Sequence, residues 1–294
     1  MKRSGNLAAL LDTCIFQRDQ RAGSYGTVIA PRTSQFSLGL TAFWKWRHVV
    51  WVFLWRDVRV RYKQTLLGVG WLVLQPLLST LVLTLVFGRV VKVPTAGVPY
   101  SVFVLSGLLP WQVFSRGLVR SSNCLVDNQY VVTGSSVPRL ILPVAAVLNP
   151  LVDFGIEFIL LVSVMLLYGM RLGTGLILVV PPLLLALILS LGFGLCLSAV
   201  NVRYRDIAYT VPFFLQLWFF ITPVAYPSSL APARWHWFYV LNPVTAIVEG
   251  FRKAMLSGAA PAQAIFWTTG LAIAFLISAL LYFRRTERQF ADII

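Results

Sequence analysis

Long runs without a single Asp, Glu, Lys or Arg decide what this chain can fold into. They occupy 64–88, 93–115, 140–152 with 158–170, 172–202, 207–233 and 254–283. A hydrocarbon layer about 30 Å thick is crossed by about 20 apolar helical residues, and each run is long enough or nearly so. Within lipid the backbone has no water to bond, so such runs must satisfy their own N–H and C=O groups as helices. Asp153 and Glu157 interrupt the third run, which still reads as one helix from about Pro138 to Tyr168. The sequence thus predicts an all-α integral membrane protein. Its membrane domain, 64–294, has six transmembrane helices at about 64–90, 98–120, 138–168, 173–201, 207–226 and 259–284.

Composition agrees. Of 294 residues, 58% are hydrophobic and 12% charged, about half the charge of a water-soluble domain. The net charge of +15 comes from basic residues beside apolar runs, which favours anionic lipid headgroups over nucleic acid as neighbours. Cys14, Cys124 and Cys196 are far apart and show neither metal-ligand nor disulfide spacing, so no metal site is expected. Met1-Lys2-Arg3 resembles a signal n-region, but Asp12, Arg18, Asp19 and Arg21 interrupt any cleavable apolar segment.

Lys and Arg are retained on the cytoplasmic side of short loops. With both termini in the cytoplasm, 19 basic residues fall inside, including Arg116, Arg120 and Arg139 around the second loop, and 6 outside. Residues 1–36 are polar, with scattered Gly, Ser, Thr and Pro, and read as a flexible cytoplasmic tail. Residues 37–63 read as an amphipathic interface helix: Phe43, Trp46, Val50, Phe53 and Leu54 recur at helical spacing among Lys45, Arg56, Arg59 and Lys63. Residues 227–257 are too short for two crossings and too apolar for a loop. They read as an external re-entrant helical hairpin whose second helix starts at Pro243 and continues through Glu249 to Met255.

Five local patterns stand in order along the chain. Arg61-Tyr62-Lys63-Gln64-Thr65-Leu66-Leu67-Gly68, with Trp71 and Leu74-Gln75-Pro76-Leu77, opens the first span. Val137-Pro138-Arg139 with Leu142-Pro143 opens the third, and Asn201-Val202-Arg203-Tyr204-Arg205-Asp206-Ile207 joins the fourth to the fifth. Leu241-Asn242-Pro243 with Glu249-Gly250-Phe251-Arg252 lies in the re-entrant stretch, and Glu287-Arg288-Gln289-Phe290-Ala291-Asp292 closes the chain. In this order and spacing, from about residue 38 onward, the chain resembles the ABC-2 type permeases that export O-antigen, capsule or teichoic-acid polymers, in particular the O-antigen permease Wzm. The resemblance implies a homodimer in the bacterial cytoplasmic (inner) membrane, a cytoplasmic ABC ATPase dimer beneath it, and a channel for an undecaprenyl-diphosphate-linked glycan. ATP and Mg would bind the partner ATPase. Independently, no Gly-x-x-x-x-Gly-Lys-Ser/Thr loop occurs in the sequence, so the chain is not expected to be an enzyme or to bind a cofactor.

Coupling to an ATPase needs short cytoplasmic elements. Asp127, Asn128, Gln129 and Tyr130 of the 127–137 loop are one candidate set, and by resemblance this loop holds the main coupling helix. It departs from the family in carrying Thr133-Gly134-Ser135-Ser136 before the Pro-Arg pair. Arg203, Arg205 and Asp206 are the second set, unless they form only a solvated turn. A moving polymer must be held loosely, which suits aromatic faces: Trp71, Phe87, Tyr100, Phe103, Trp111, Phe114, Phe213, Phe214, Trp218, Phe219 and Phe220 are channel candidates, or else lipid-facing and interfacial rings. Arg56, Arg59, Arg61 and Lys63 form a basic collar that suits either a lipid diphosphate or ordinary phospholipid.

Asp153 and Glu157 share a helix face and read as a pore lining or dimer contact, or as carboxylates paired with a cation such as Arg171 near the outer interface. Tyr226, Trp235, Trp237 and Glu249 are external-gate candidates, with Glu249 spaced for a local pair with Arg252 or Lys253, and His48 and His236 read as interfacial packing. Two other classes stay open. An exporter of small hydrophobic molecules would share the architecture, whereas a membrane-embedded transferase of lipid-linked sugar needs paired catalytic carboxylates or His in one accessible loop, and none stands out.

Overall fold

The computed structural model describes residues 44, 46–63, 68, 70–95, 97–134, 137–170, 173, 175–230, 232, 234, 236–258, 264–287 and 290, without the side chains of 62, 63, 236 and 264. The tail 1–36 and the residues Phe43, Lys45, Arg171 and Trp235 lie outside that description, as does the side chain of Lys63. In chain order the helices are α1 (Arg47–Lys63), α2 (Gly70–Leu83, continued as a π-helix over Thr84–Val90), α3 (Tyr100–Asp127) and α4 (Gln129–Gly134). Then come α5 (Ile141–Leu148), α6 (Pro150–Leu167), α7 (Gly175–Leu178), α8 (Val180–Arg203), α9 (Ile207–Ile221), α10 (His236–Leu241), α11 (Pro243–Ser257) and α12 (Ala264–Thr286).

Among the described residues five helical stretches are long and apolar enough to cross a membrane: Gly70–Val90, Tyr100–Asp127, Ile141–Leu167, Gly175–Arg203 and Ile265–Thr286. The expected third span is α5 and α6 joined through Asn149, whose backbone stays helical. The expected span at 207–226 is shorter. It is realised as α9, 15 residues or about 22 Å at 1.5 Å per residue. Pro223 accounts for the stop: a residue before proline is driven out of the helical region, and Thr222 is extended at φ −83°, ψ 136°. The second expected span is longer than its estimate of 98–120. Helix α3 continues to Asp127, so Arg116 and Arg120 lie well inside it and not at its end.

Helix α3 is the axis of the subunit, packed by α8, α5, α11, α6 and α9. Apolar burial drives helix association weakly when lipid is the alternative neighbour, so close approach of small residues counts for more. A Cβ on Gly117 would meet Ser190 Oγ at 3.2 Å, and one on Gly194 would run into the Ser121 side chain. The α3–α8 crossing is therefore set by two glycine–serine contacts.

Helix α1 also corrects an expectation. Its Val49, Val50 and Phe53, with Trp46 and Leu54 beside them, pack with α5 residues in one cluster. Trp44, Trp51 and Trp55 are the exposed rings, with the Arg47 guanidinium 4.6 Å from the Trp44 ring and that of Arg59 5.5 Å from Trp55. The stripe singled out from spacing faces protein, and the tryptophan–arginine face is the one left for headgroups. His48 is exposed and stacks on Trp46.

From the closing motif, Glu287 and Phe290 pack near the start of the third span. Arg139 donates to the Glu287 backbone carbonyl, Arg284 pairs with Glu287 at 2.9 Å, and Phe290 is fully buried against Phe283. Leu140, Phe283, Phe290 and the α1 residues Val49 and Val50 thus share one cluster with Cys124 and Leu125, near the Asp127 end of α3.

Candidate functional site

At the Asp127 end a single arginine ties the interface helix to the candidate coupling element. Arg56 donates to Asn128 Oδ1 at 2.8 Å, to the Tyr130 hydroxyl at 2.8 Å and to Asp57 at 2.8 and 2.9 Å, and its guanidinium covers the Phe53 ring at 4.6 Å. Asn128 also donates to Cys124 O, so it joins the end of α3 to α1. Helix α4 buries Val131 and Val132 and exposes Gln129, Tyr130 and Thr133, leaving a polar face for a partner. Asp127 is exposed as the last residue of α3. Arg203, the last residue of α8, and Arg205 and Asp206 just beyond it are exposed, and Asn201 anchors that helix by donating to Ser122 O and Asn123 Oδ1 at 2.9 Å. Replacing Arg56 by Gln should speed backbone hydrogen exchange over 128–134 about fivefold, since a partly exposed charged contact contributes about 1 kcal/mol; exchange mass spectrometry reads this directly.

Deeper along α3 lies a cluster of charge. Asp153 and Glu157 on α6 are only 2% and 1% exposed. Arg61, from the last turn of α1, reaches Asp153 at 2.6 Å, and Arg116 reaches Glu157 at 2.8 Å. Arg116 and Arg120 also lie 3.7 and 3.9 Å from Asp153. Asn149 accepts from both Arg61 and Arg120, and Gln75 accepts from Arg116 at 3.4 Å. The carboxylates are thus held by Arg61, Arg116 and Arg120; the partner weighed before, Arg171, lies outside the described residues. Buried carboxylates need such partners, because an unpaired charge in a low-dielectric interior is costly.

The structure also splits the basic collar. Arg61 turns into this cluster and Arg56 into the α4 contact, while Arg59 stays exposed over Trp55. The missed members, Arg116 and Arg120, carried a readable signal. They are four residues apart in an apolar run, as Asp153 and Glu157 are, and two charge pairs with matching helical spacing can face each other.

The aromatic candidates fall into two groups. Phe103, Trp111 and Phe114 are buried inside the subunit. Phe114 meets Trp218 edge-on at 5.3 Å, Trp111 meets Phe219 at 5.6 Å, and Phe193 links Trp218 to Phe275. This ladder joins α3, α9, α8 and α12, with Trp218 and Phe219 partly buried. Trp71, Phe213, Phe214 and Phe220 are exposed, and Phe87 and Tyr100 are partly buried.

At the Tyr100 end, Arg252 does not pair on the helix surface with Glu249. It turns inward, donating to the carbonyls of Pro223 at 3.1 Å and Val224 at 2.8 Å, with its guanidinium 3.8 Å from the Phe103 ring. Burial lowers its pKa to about 10, with the Glu249 charge opposing the shift, so it remains a cation at neutral pH. Tyr100 donates to Ala225 O at 2.6 Å. Asn242 caps α11 by accepting from Val244 N, accepts from Trp218 Nε1 and donates to Thr222. The 222–225 turn is thereby clamped against α3 and α11. Tyr226 bonds to Phe220 O at 3.0 Å and contacts the Tyr239 hydroxyl at 3.2 Å, Trp237 is exposed, and Glu249 is partly buried. Arg252→Met should loosen this turn and lower stability by about 3 kcal/mol, the sum of two charge-assisted bonds, seen as new proteolytic cleavage near 222–226.

The profile of the ABC-2 type transporter family matches residues 48–256, from α1 to the end of α11. The chain belongs to this ABC-2 membrane family. An O-antigen export system permease protein, RfbA, of Klebsiella pneumoniae is 25% identical over 242 residues, 81% of this chain and 92% of that protein. RfbA of Myxococcus xanthus is 29% identical over 243 residues, with the same coverage. The polysialic acid transport protein KpsM of Escherichia coli is 28% identical over 205 residues, 69% of this chain and 79% of that protein. As an ABC-2 family member the chain is a multi-pass membrane permease subunit. The ABC-2 match takes in the Arg56 clamp, the buried charge cluster and the Arg252 turn, so all three belong to the transporter body.

Proposed function

We propose that this chain is the permease subunit of an ATP-driven ABC exporter that moves lipid-linked polysaccharide, O-antigen-like in kind, from the cytoplasm outward. The observation that carries the reading is the match along nearly the whole length of O-antigen export permeases. It acts as a homodimer in the bacterial cytoplasmic membrane, with both termini inside and a separate ATPase dimer pushing on α4 and the 203–206 turn. The Arg56 bonds to Asn128 and Tyr130 would pass that push to the interface helix. The exposed rings Phe213, Phe214 and Phe220 of α9 offer flat faces to sugar C–H groups without demanding one hydroxyl pattern, as a moving chain requires. A second reading, export of a capsule polymer, is supported by the match to KpsM.

The test is complementation. In a bacterium lacking its own O-antigen permease, this chain expressed with its ATPase should restore surface glycan, and a partner disabled in its nucleotide loop should not. Glycan retained in the cytoplasm with both intact proteins present would end the proposal.

A further inference from the structure

Among the described side chains of the charge cluster between α1, α3 and α6, Arg61, Arg116 and Arg120 supply three positive charges against two from Asp153 and Glu157, a surplus of +1. Two pairs are close, Arg61 with Asp153 at 2.6 Å and Arg116 with Glu157 at 2.8 Å. Arg120 is the third cation. It lies 3.9 Å from Asp153, beyond hydrogen-bond reach, and its bond of 2.6 Å goes to the neutral amide oxygen of Asn149. Its side chain is 30% exposed, the most of the three, while both carboxylates are sealed. A guanidinium offers five N–H donors in a planar fork that fits phosphate oxygens two at a time. An excess cation within the apolar part of a membrane protein is a standing demand for an anion.

We infer that Arg120, flanked by Arg61 and Arg116, forms a binding site for a phosphate oxyanion carried by a lipid, with Asp153 and Glu157 as the built-in competitors that keep the bound anion exchangeable. The inference rests on the export reading, in which the cargo carries a lipid diphosphate. It moves the anion site from the exposed collar, where Arg59 stands alone over Trp55, to the cluster behind it. The acids set the affinity. A site of three arginines alone would hold a diphosphate too tightly to release it, whereas two buried carboxylates leave only the surplus charge to be satisfied. A phospholipid headgroup offers the same phosphate chemistry with less charge.

The full chain with its ATPase, in phosphatidylcholine nanodiscs, is titrated with undecaprenyl diphosphate and separately with phosphatidylglycerol, with binding read by native mass spectrometry. Arg120→Gln should weaken undecaprenyl diphosphate at least tenfold, as loss of a charge-assisted bond implies. Asp153→Asn removes a competitor and should tighten it severalfold, an outcome that misfolding cannot imitate. Tighter binding of undecaprenyl diphosphate than of phosphatidylglycerol assigns the site to cargo; equal binding, lost alike in Arg120→Gln, assigns it to membrane phosphate in general, and the oxyanion site stands either way. Unchanged binding in Arg120→Gln, weaker binding in Asp153→Asn, or a larger loss in Arg59→Gln than in Arg120→Gln would overturn it. Complementation by the intact chain reports separately on the export reading and does not depend on these affinities.

Discussion

Glu157→Leu should lower the stability of the purified protein by about 3 kcal/mol, because removing one member of a buried ion pair strands the other. Arg116 would keep its reach toward Asp153 at 3.7 Å, but Arg61 already holds that carboxylate at 2.6 Å. The surplus charge at the cluster would rise from +1 to +2. In a chain of this size the loss corresponds to a drop of roughly 5 °C in apparent melting temperature, measured by the thermal decay of the size-exclusion peak in detergent. The double variant Glu157→Leu with Arg116→Leu should recover most of it, because exchanging a whole buried pair for apolar residues is often close to neutral. A double variant as unstable as the single one would mean that the Glu157–Arg116 contact is not the source of the effect.

The spans were readable because lipid imposes one rule along the entire run of residues: no charge without a reason. That rule located the five long apolar stretches among the described residues, while the start of α11 was legible from Asn242-Pro243, where the asparagine caps and the proline starts the helix. It failed where a reason existed. Arg116 and Arg120 looked like span-end residues beside a loop because a charge in a span is costly, and the acids that make them tolerable lie some thirty to forty residues further on. Helix α9 looked longer because Thr222, Val224 and Ala225 are as apolar or as small as span residues, and only Pro223 marks the stop.

Which rings face outward was the least legible feature. Helix α3 is apolar but for Ser106 through 102–111 and is buried on all sides there, so it has no polar face from which to read a direction. Trp111 and Phe114 on α3 and Phe213 and Phe214 on α9 are alike as letters; their separation into ladder and surface depends on which helix occupies the centre. In α1 the same difficulty reversed the faces. Tryptophan and valine alternate around that helix, and the docking of Val49, Val50 and Phe53 on α5 settles which side remains open.

What places α3 at the centre is close contact with α8, and Gly194→Val tests it. A Cβ at 194 already collides with the Ser121 Oγ and Cβ, so the two methyl groups of valine would force the helices apart at their longest shared contact. Ser121 is fully buried and cannot swing into open space. Overpacking a tight core costs about 1–3 kcal/mol when the surroundings can yield; here both neighbours are rigid helices, so the upper end applies, with about 1 kcal/mol more for each displaced bond at the nearby Asn201–Ser122 anchor. The expected outcome is loss of the monodisperse folded peak and of surface glycan together. Gly270→Ala is the contrast: nothing lies within 4 Å of its Cβ position in α12, so it should fold as well as the parent or slightly better, by up to ~1 kcal/mol of helix propensity. If Gly194→Val stayed as stable as Gly270→Ala, the α3–α8 crossing could not be as close as the glycine–serine contacts require.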